Sequence, residues 1–564
     1  MATSATGERR ASRVKAATPA VTPANVARAH GARATLVDVG LILVAAGLFA
    51  LAHPNPISQW GWWPLAFVAL APLFVAIRRR GVLRSVLYGA LYGFVSYALY
   101  NYWLATFHPL ALIIVPIVYS GYFLVLFPLL KLADLLFPRF GYLLQVLLWV
   151  AFEYFKSLGF LGYSFGTLGY TQYLWSDFIR IAGVTGVWGV SVLVVAASAI
   201  LGRLLIQFDS RSGETRSGSC GGEWRPVLLS FGRQHRLVLA IYAAMIVANV
   251  SYGAISSRDY TSARQWRVAL VQQNVDPWRG GFRAYERSLE TLTRLSTAAL
   301  AQNPDVVIWS ETSFVPGIDW HTRYRTDPRR FALVRTLRDY LNTQSIPFVV
   351  GNDDGQLERT KAGEVRVDYN ASILFEEGEI TNTYRKIHLV PFTESFPFKR
   401  QLPGIYRWLE AADTHFWKAG EVATVFETDG VHFSTPICFE DTFGDLNRQF
   451  VLAGADVLVN MTNDSWSFSV PAEVQHMMMG VFRAVENRRS VVRSSNGGMT
   501  VTIDPNGRII DQLEPFVADY LMSTVPVVAG PHTLYTRFGD WLGKALLLAA
   551  AIALVAGFVR RLRR

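Results

Sequence analysis

Cysteine and charge are both scarce in this chain. Two cysteines in 564 residues, Cys220 and Cys438, leave no disulfide framework to build on. Charged residues make up only 17% against 51% hydrophobic ones, which excludes an ordinary soluble protein of this size. No P-loop or dinucleotide fingerprint occurs. His388, His432 and His476 are not at metal-ligand spacing, so neither a metal nor a cofactor is expected. No internal repeat is found. The net charge of +11 is concentrated in short arginine clusters beside apolar runs. That placement points to membrane topology and away from nucleic acid.

What is abundant is apolar sequence. Long runs fall at 35–52, 60–77, 85–107, 109–137, 141–159, 184–206, 236–255 and 541–559. A helix needs about 20 residues to cross the hydrocarbon core, and most of these runs approach that length. The first lacks a small-residue cleavage site and reads as a retained helix. Eight crossings put both termini on one side. Arg9, Arg10, Arg28 and Arg33, then Arg78, Arg79, Arg80 and Arg84, then Arg211, Arg225 and Arg233, then Arg560, Arg561, Arg563 and Arg564 all fall on that side. The positive-inside bias makes it cytoplasmic. The expected order is therefore a disordered basic cytoplasmic tail (1–33), a membrane domain of seven helices (34–255), an extracytoplasmic domain (256–530), and a final helix with a basic cytoplasmic tail (531–564). The stretch 207–235 reads as a flexible cytoplasmic loop around Cys220.

From about 256 the texture changes. Candidate strands at 267–273, 306–311, 347–352, 369–375, 431–438 and 456–461 alternate with amphipathic helices at 282–300 and 471–489. This alternation predicts an α/β layered domain, whose chemistry gathers where loops leave strand ends.

Three residues stand at such ends. Glu311 follows an apolar strand, and desolvation there raises a carboxyl toward general-base work. Lys386 sits between apolar residues in YRKIHLVPF, where an ammonium suits an oxyanion. Cys438 ends another apolar strand and has no cysteine partner on its side of the membrane. Singly, each has a commoner structural reading: a surface glutamate, a solvated lysine, an inert buried thiol. Together they fit nucleophilic acyl transfer. Glu311 takes the thiol proton, Cys438 attacks the acyl carbonyl, and Lys386 with the Phe439 N–H holds the oxyanion.

WSET around Glu311, YRKIHLVPF around Lys386 and PICFED around Cys438 make residues 267–510 resemble the nitrilase (carbon–nitrogen hydrolase) superfamily. With the membrane helices, the chain is similar from 35 to 559 to the apolipoprotein N-acyltransferase family. The narrower likeness is carried by VQQN at 271–274, PFTESFP at 391–397, NMTNDSW at 460–466, QHMMMGVFRAVENRRSVVRSSNGG at 475–498, GDW at 539–541, and GYSFGTLGYTQ at 162–172 after the Trp149–Glu153 segment. The resemblance implies an αββα sandwich and a Glu–Lys–Cys triad. It also implies a phospholipid acyl donor, typically phosphatidylethanolamine. The acceptor is the diacylglyceryl-cysteine that begins an apolipoprotein. The setting is the bacterial cytoplasmic (inner) membrane, in the last step of lipoprotein maturation. By the same likeness Glu394 orients Lys386 and Glu440 supports the loop around the thiol. Trp278, Trp466 and His388 are candidates for lining the substrate pocket. A monomer is expected. The competing readings are a membrane-anchored amidase using water as acceptor, a non-enzymatic homologue, and a transporter built around Glu153 and Lys131.

Overall fold

The computed structural model describes residues 23–107, 109–212, 224–276, 280–360, 363–411 and 416–564. Cys220 and Trp278 lie outside the described residues.

Among the described residues, six helical stretches are long and apolar enough to cross a membrane: Ala32–Ala52, Val82–Tyr100, Ala111–Leu136, Val187–Asp209, Trp224–Ser256 and Trp541–Leu562. The other two expected segments fold as shorter pieces. Residues 60–77 split into a 3-10 helix, Trp63–Phe67, and a helix, Ala71–Arg78, each with a proline in its first turn. Proline presets the helical φ and lacks a donor, so it starts a helix readily and cannot sit inside a continuous one without cost. The Gly141–Lys156 helix has 16 residues. At 1.5 Å per residue it reaches about 24 Å, short of a ~30 Å core.

Two expectations for the basic tail and the loop around Cys220 are corrected. Helix already runs over Pro23–Ala52, reaching into the stretch read as tail. Of the 207–235 stretch, the described residues are helical, within Val187–Ser212 and Trp224–Ser256. Val227, Phe231 and His235 recur every four residues and are buried together, which gives that second stretch a packing face. The arginine cluster after Ala71–Arg78 also has structural partners. Arg78 pairs with Asp134 at 2.9 Å, Arg79 with Asp209 at 2.7 Å, and Arg80 with the buried Asp38.

Among the described residues the second half contains twelve strands: β1 (Arg264–Gln272), β2 (Val306–Trp309), β3 (Phe348–Thr360), β4 (Gly363–Glu376), β5 (Glu379–Arg385), β6 (Val425–Thr428), β7 (Val431–Ser434), β8 (Val457–Thr462), β9 (Ser490–Ser495), β10 (Val501–Ile503), β11 (Ile509–Gln512) and β12 (Asp519–Val527). They form two six-stranded sheets in the orders β12-β1-β2-β3-β4-β5 and β11-β10-β9-β8-β7-β6. Each sheet has a parallel centre, β1-β2-β3 in one and β7-β8-β9 in the other. Buried on both faces, these central strands are nearly continuous apolar runs. The sheets meet through contacts such as Trp266 on Phe433 and the Ser372–Thr435 hydroxyl pair. Helices cover the outer faces, Phe282–Leu300 and Pro328–Asn342 on the first sheet, Gly444–Leu452 and Val470–Asn487 on the second. This is the expected αββα sandwich.

The Val470–Asn487 helix is buried along its whole length. One side packs on the second sheet. The other is held by the membrane half: Gln475 donates to Pro54 O and Tyr100 O and accepts from Trp103, and Arg483 donates to Tyr170.

Candidate active site

Glu311 lies two residues past β2, Lys386 one past β5, and Cys438 four past β7. Different strands of both sheets therefore aim three reactive groups at one seam. The local backbone is specialised there. Thr312 and Cys438 have φ of 41° and 51°, a left-handed conformation that non-glycine residues seldom adopt. Such strain persists only where the surroundings impose it. Gly351 on β3 is required by close approach: a Cβ there would come within 2.2 Å of the Ser310 carbonyl, beside Glu311.

The Lys386 ammonium is fully buried and pairs with Glu311 Oε1 at 3.2 Å and Glu394 Oε1 at 2.8 Å. Asn370 on β4 donates to Glu311 Oε1 at 2.8 Å, and the Asn463 N–H donates to Glu311 Oε2 at 2.9 Å. Burial alone lowers Lys386, but Glu311, Glu394 and Cys438 outweigh it and hold the ammonium well above its usual range. Glu311 is raised, first by burial, while Lys386 pulls it back. Cys438 is pushed well above the usual thiol range, by burial first and then by the Glu311 charge. A thiol raised in this way needs a base, and Glu311, a carboxyl also raised by burial, acts on it by its charge.

Glu440 is locked differently. Its carboxylate accepts from the N–H groups of Ile437 (2.7 Å), Ile387 (2.7 Å) and His388 (2.9 Å) and from the Tyr384 hydroxyl (2.8 Å). These bonds tie the Lys386 loop to the turn that presents Cys438. Burial pushes Glu440 up to about 7 against the pull of its donors and of Lys386.

Phe439 and Trp466 join an aromatic wall shared with the membrane half. Phe165 lies 6.5 Å from Phe439, and Trp103 lies 6.3 Å from Phe165 and 5.6 Å from Trp466, measured between ring centroids. The His388 ring stacks on Phe443 at 4.4 Å and lines a cavity of about 360 Å³ at the junction of the two halves, with Leu158, Trp188, Arg483 and Asp540. A larger hollow of about 570 Å³, by Arg258 and Arg508, contains none of the candidate residues.

The structure thus gathers Glu311, Lys386, Glu394 and Cys438, with Glu440 behind them. It sets Trp466 in the wall and His388 at a neighbouring cavity. Several residues escaped sequence reasoning: Asn370, Tyr384, Asn460, Asn463 and Arg493. A signal for some was present. Asn460 follows three apolar residues in VLVNMT and Arg493 follows two valines in SVVRSS, and buried polar groups need partners.

Residues 45–200 match the family described as apolipoprotein N-acyltransferase N-terminal domain, and residues 267–529 match the carbon–nitrogen hydrolase family. Similar proteins include apolipoprotein N-acyltransferase 1 of Treponema denticola, 39% identical over 92% of this chain and 97% of that protein. Apolipoprotein N-acyltransferase 1 of Treponema pallidum is 43% identical over 94% of this chain and 97% of that one. Among solved structures, Saccharomyces cerevisiae Nit3, a nitrilase-superfamily member, matches 48% of this chain and 93% of its own at 20% identity, with a TM-score of 0.34.

Proposed function

This chain belongs to the apolipoprotein N-acyltransferase family, and from that premise we propose that Cys438, Glu311 and Lys386 carry its acyl transfer through a thioester. The enzyme is a membrane-embedded acyltransferase that N-acylates apolipoproteins. The observation that carries the triad is the buried Lys386 ammonium, paired with both Glu311 and Glu394 and acting by its charge on Cys438.

In the first half-reaction Glu311 accepts the Cys438 proton as Sγ attacks an ester carbonyl of the phospholipid donor, typically phosphatidylethanolamine on the family likeness. Lys386 and the Phe439 N–H stabilise the tetrahedral oxyanion. The C–O bond breaks, Glu311 returns the proton to the alkoxide, and lysophospholipid leaves. In the second half-reaction the α-amine of the diacylglyceryl-cysteine attacks the thioester and gives its proton to Glu311. The C–S bond breaks, and Glu311 reprotonates the thiolate. Glu394 orients Lys386, and Glu440 fixes the turn. The aromatic wall of Phe165, Phe439, Trp103 and Trp466 receives the acyl chain and limits water, which protects the thioester. Trp278 and His388 are assigned to substrate contact on the family likeness. The enzyme acts as a monomer without a cofactor.

The layout follows from both substrates being held in the bilayer. A catalytic domain (256–530) tethered between the membrane domain (34–255) and the final helix (531–564) raises their effective concentration. The domain faces outward from the inner membrane, with both termini cytoplasmic. A reporter fused after Arg564 is expected to remain cytoplasmic and one inserted near residue 360 to be exported; the reverse pattern overturns this orientation.

Intact mass after incubation with phosphatidylethanolamine and no acceptor tests the chemistry. The expected product is a hydroxylamine-labile acyl adduct on Cys438 together with lysophospholipid. Absence of both removes the triad reading.

A further inference from the structure

Behind Cys438 lies a second, fully buried set of charges that the acyl-transfer steps do not use. Arg493 on β9 pairs with Asp441 and, at 2.7 Å, with Asp464. His476, on the Val470–Asn487 helix, touches all three, with Nδ1 2.8 Å from both Asp464 and the Arg493 guanidinium and Nε2 2.9 Å from Asp441. Asp441 belongs to the turn Cys438–Thr442. Asp464 follows Asn463, whose N–H donates to Glu311. Arg493 also donates at 2.7 Å to Asn460 Oδ1, and the Asn460 amide in turn donates at 3.1 Å to the Cys438 carbonyl. A continuous chain of bonds therefore reaches the nucleophile's strained backbone and the base's anchoring donor.

We propose that the cations of His476 and Arg493 form one positioning clamp that holds the Cys438 turn and the Asn463–Asp464 turn in a single register. The inference rests on the triad reading above. His476 is the adjustable part, because it alone of the two cations titrates in an accessible range. Burial and Arg493 lower it, but Asp441 and Asp464 overrule them and carry it up to about 9. The groups that face it are Asp441, Asp464, Arg493 and, on its own helix, Glu473. Burial raises Glu473 well above the carboxylate range, and it accepts from the Ser467 hydroxyl. The fourth side is the uncharged ring of Phe165, 5.9 Å away.

The sign of the pH effect follows. Below about 9 two carboxylates face two cations. Above it His476 is neutral, and one negative charge is left uncompensated beside Cys438. That charge disfavours the thiolate and loosens one side of the clamp.

The test uses the full-length protein in phosphatidylethanolamine vesicles, following the first acylation of Cys438 in a single turnover as pH is varied. The native enzyme is expected to lose rate as pH rises through about 9. In His476→Gln and His476→Asn the neutral-pH rate constant is expected to fall about 100-fold through misplacement of the nucleophile, with the donor concentration for half-saturation unchanged and the alkaline fall gone. A native rate in either variant overturns the proposal, as does a reduced rate that keeps the alkaline fall. Alkylation of Cys438 by iodoacetamide in the unmutated protein is the second readout. A flattening of its rise with pH at about 9 supports the clamp, and one smooth thiol titration through that range overturns it. Alkylation needs no lipid turnover, so failure of the triad reading, seen as no acyl adduct in the native protein, is told apart from failure of the clamp.

Discussion

The two sheets meet at Cys438 but bring it unlike carboxylates. Glu311 arrives from the first sheet. One of its oxygens is shared by Lys386 and Asn370, and the other takes a single backbone N–H. Glu440 belongs to the turn behind the second sheet and receives three backbone N–H groups and a tyrosine hydroxyl. Both are buried and both are raised by burial. Burial of a carboxyl is therefore not what separates the proposed base from the proposed brace. The difference lies in the partners. Glu311 interacts with a cation and a thiol, groups whose charge matters during acyl transfer. Glu440 is surrounded chiefly by amide protons that never leave nitrogen, so its bonds can only hold shape.

Substitutions on the two sides should separate these roles. The largest loss is expected from Cys438→Ala, which removes the proposed nucleophile: about 10⁵-fold in transfer rate, on the pattern of enzymes that lose a covalent nucleophile. The readout is intact mass, with no acyl adduct formed. Glu311→Gln should cost about 10³-fold, the scale of a lost general base. It also has a consequence of opposite sign. The Glu311 charge raises the Cys438 thiol, so its removal shifts the onset of thiolate, and of alkylation by iodoacetamide, to lower pH. A variant more readily ionised yet far slower in transfer identifies Glu311 as a proton carrier. If transfer and alkylation rise or fall together, Glu311 is only an electrostatic neighbour and the contrast with Glu440 dissolves.

How much of this was legible beforehand follows from what each signal depends on. The strands around Glu311 and Cys438 announce themselves as apolar runs, since parallel central strands are buried on both faces. The reactive residues stand out because they interrupt those runs at their ends. Asn370 and Asn463 do not. Their importance comes from strand pairing across the sheet and from one backbone N–H, neither of which leaves a spacing in sequence. The membrane half shows a different limit. Hydropathy found every apolar segment but not its length as helix, because prolines at 64 and 72 divide one segment and another reaches only 16 residues. In sequence His476 is only a histidine outside metal-ligand spacing. Its partners, Asp441 and Asp464, come from two turns that only the folded sheet brings together.

The smallest effect is the one that sharpens the comparison most. Glu440→Gln keeps the side-chain shape but replaces one acceptor oxygen with a donor. The amide oxygen is best placed at the position that faces Ile387 and His388, where two N–H groups converge. The amide nitrogen then faces the Ile437 N–H, donor against donor, one residue before Cys438. Such a mismatch costs about 1–3 kcal/mol of stability, read as a lower thermal midpoint. Transfer should fall about tenfold through a loosened turn, well short of the loss in Glu311→Gln. Thioester formation and aminolysis should slow to a similar extent, since the turn serves both half-reactions. A loss as large as that of Glu311→Gln, without a drop in thermal midpoint, would instead make Glu440 a second proton carrier and the two sheets equal contributors to the chemistry.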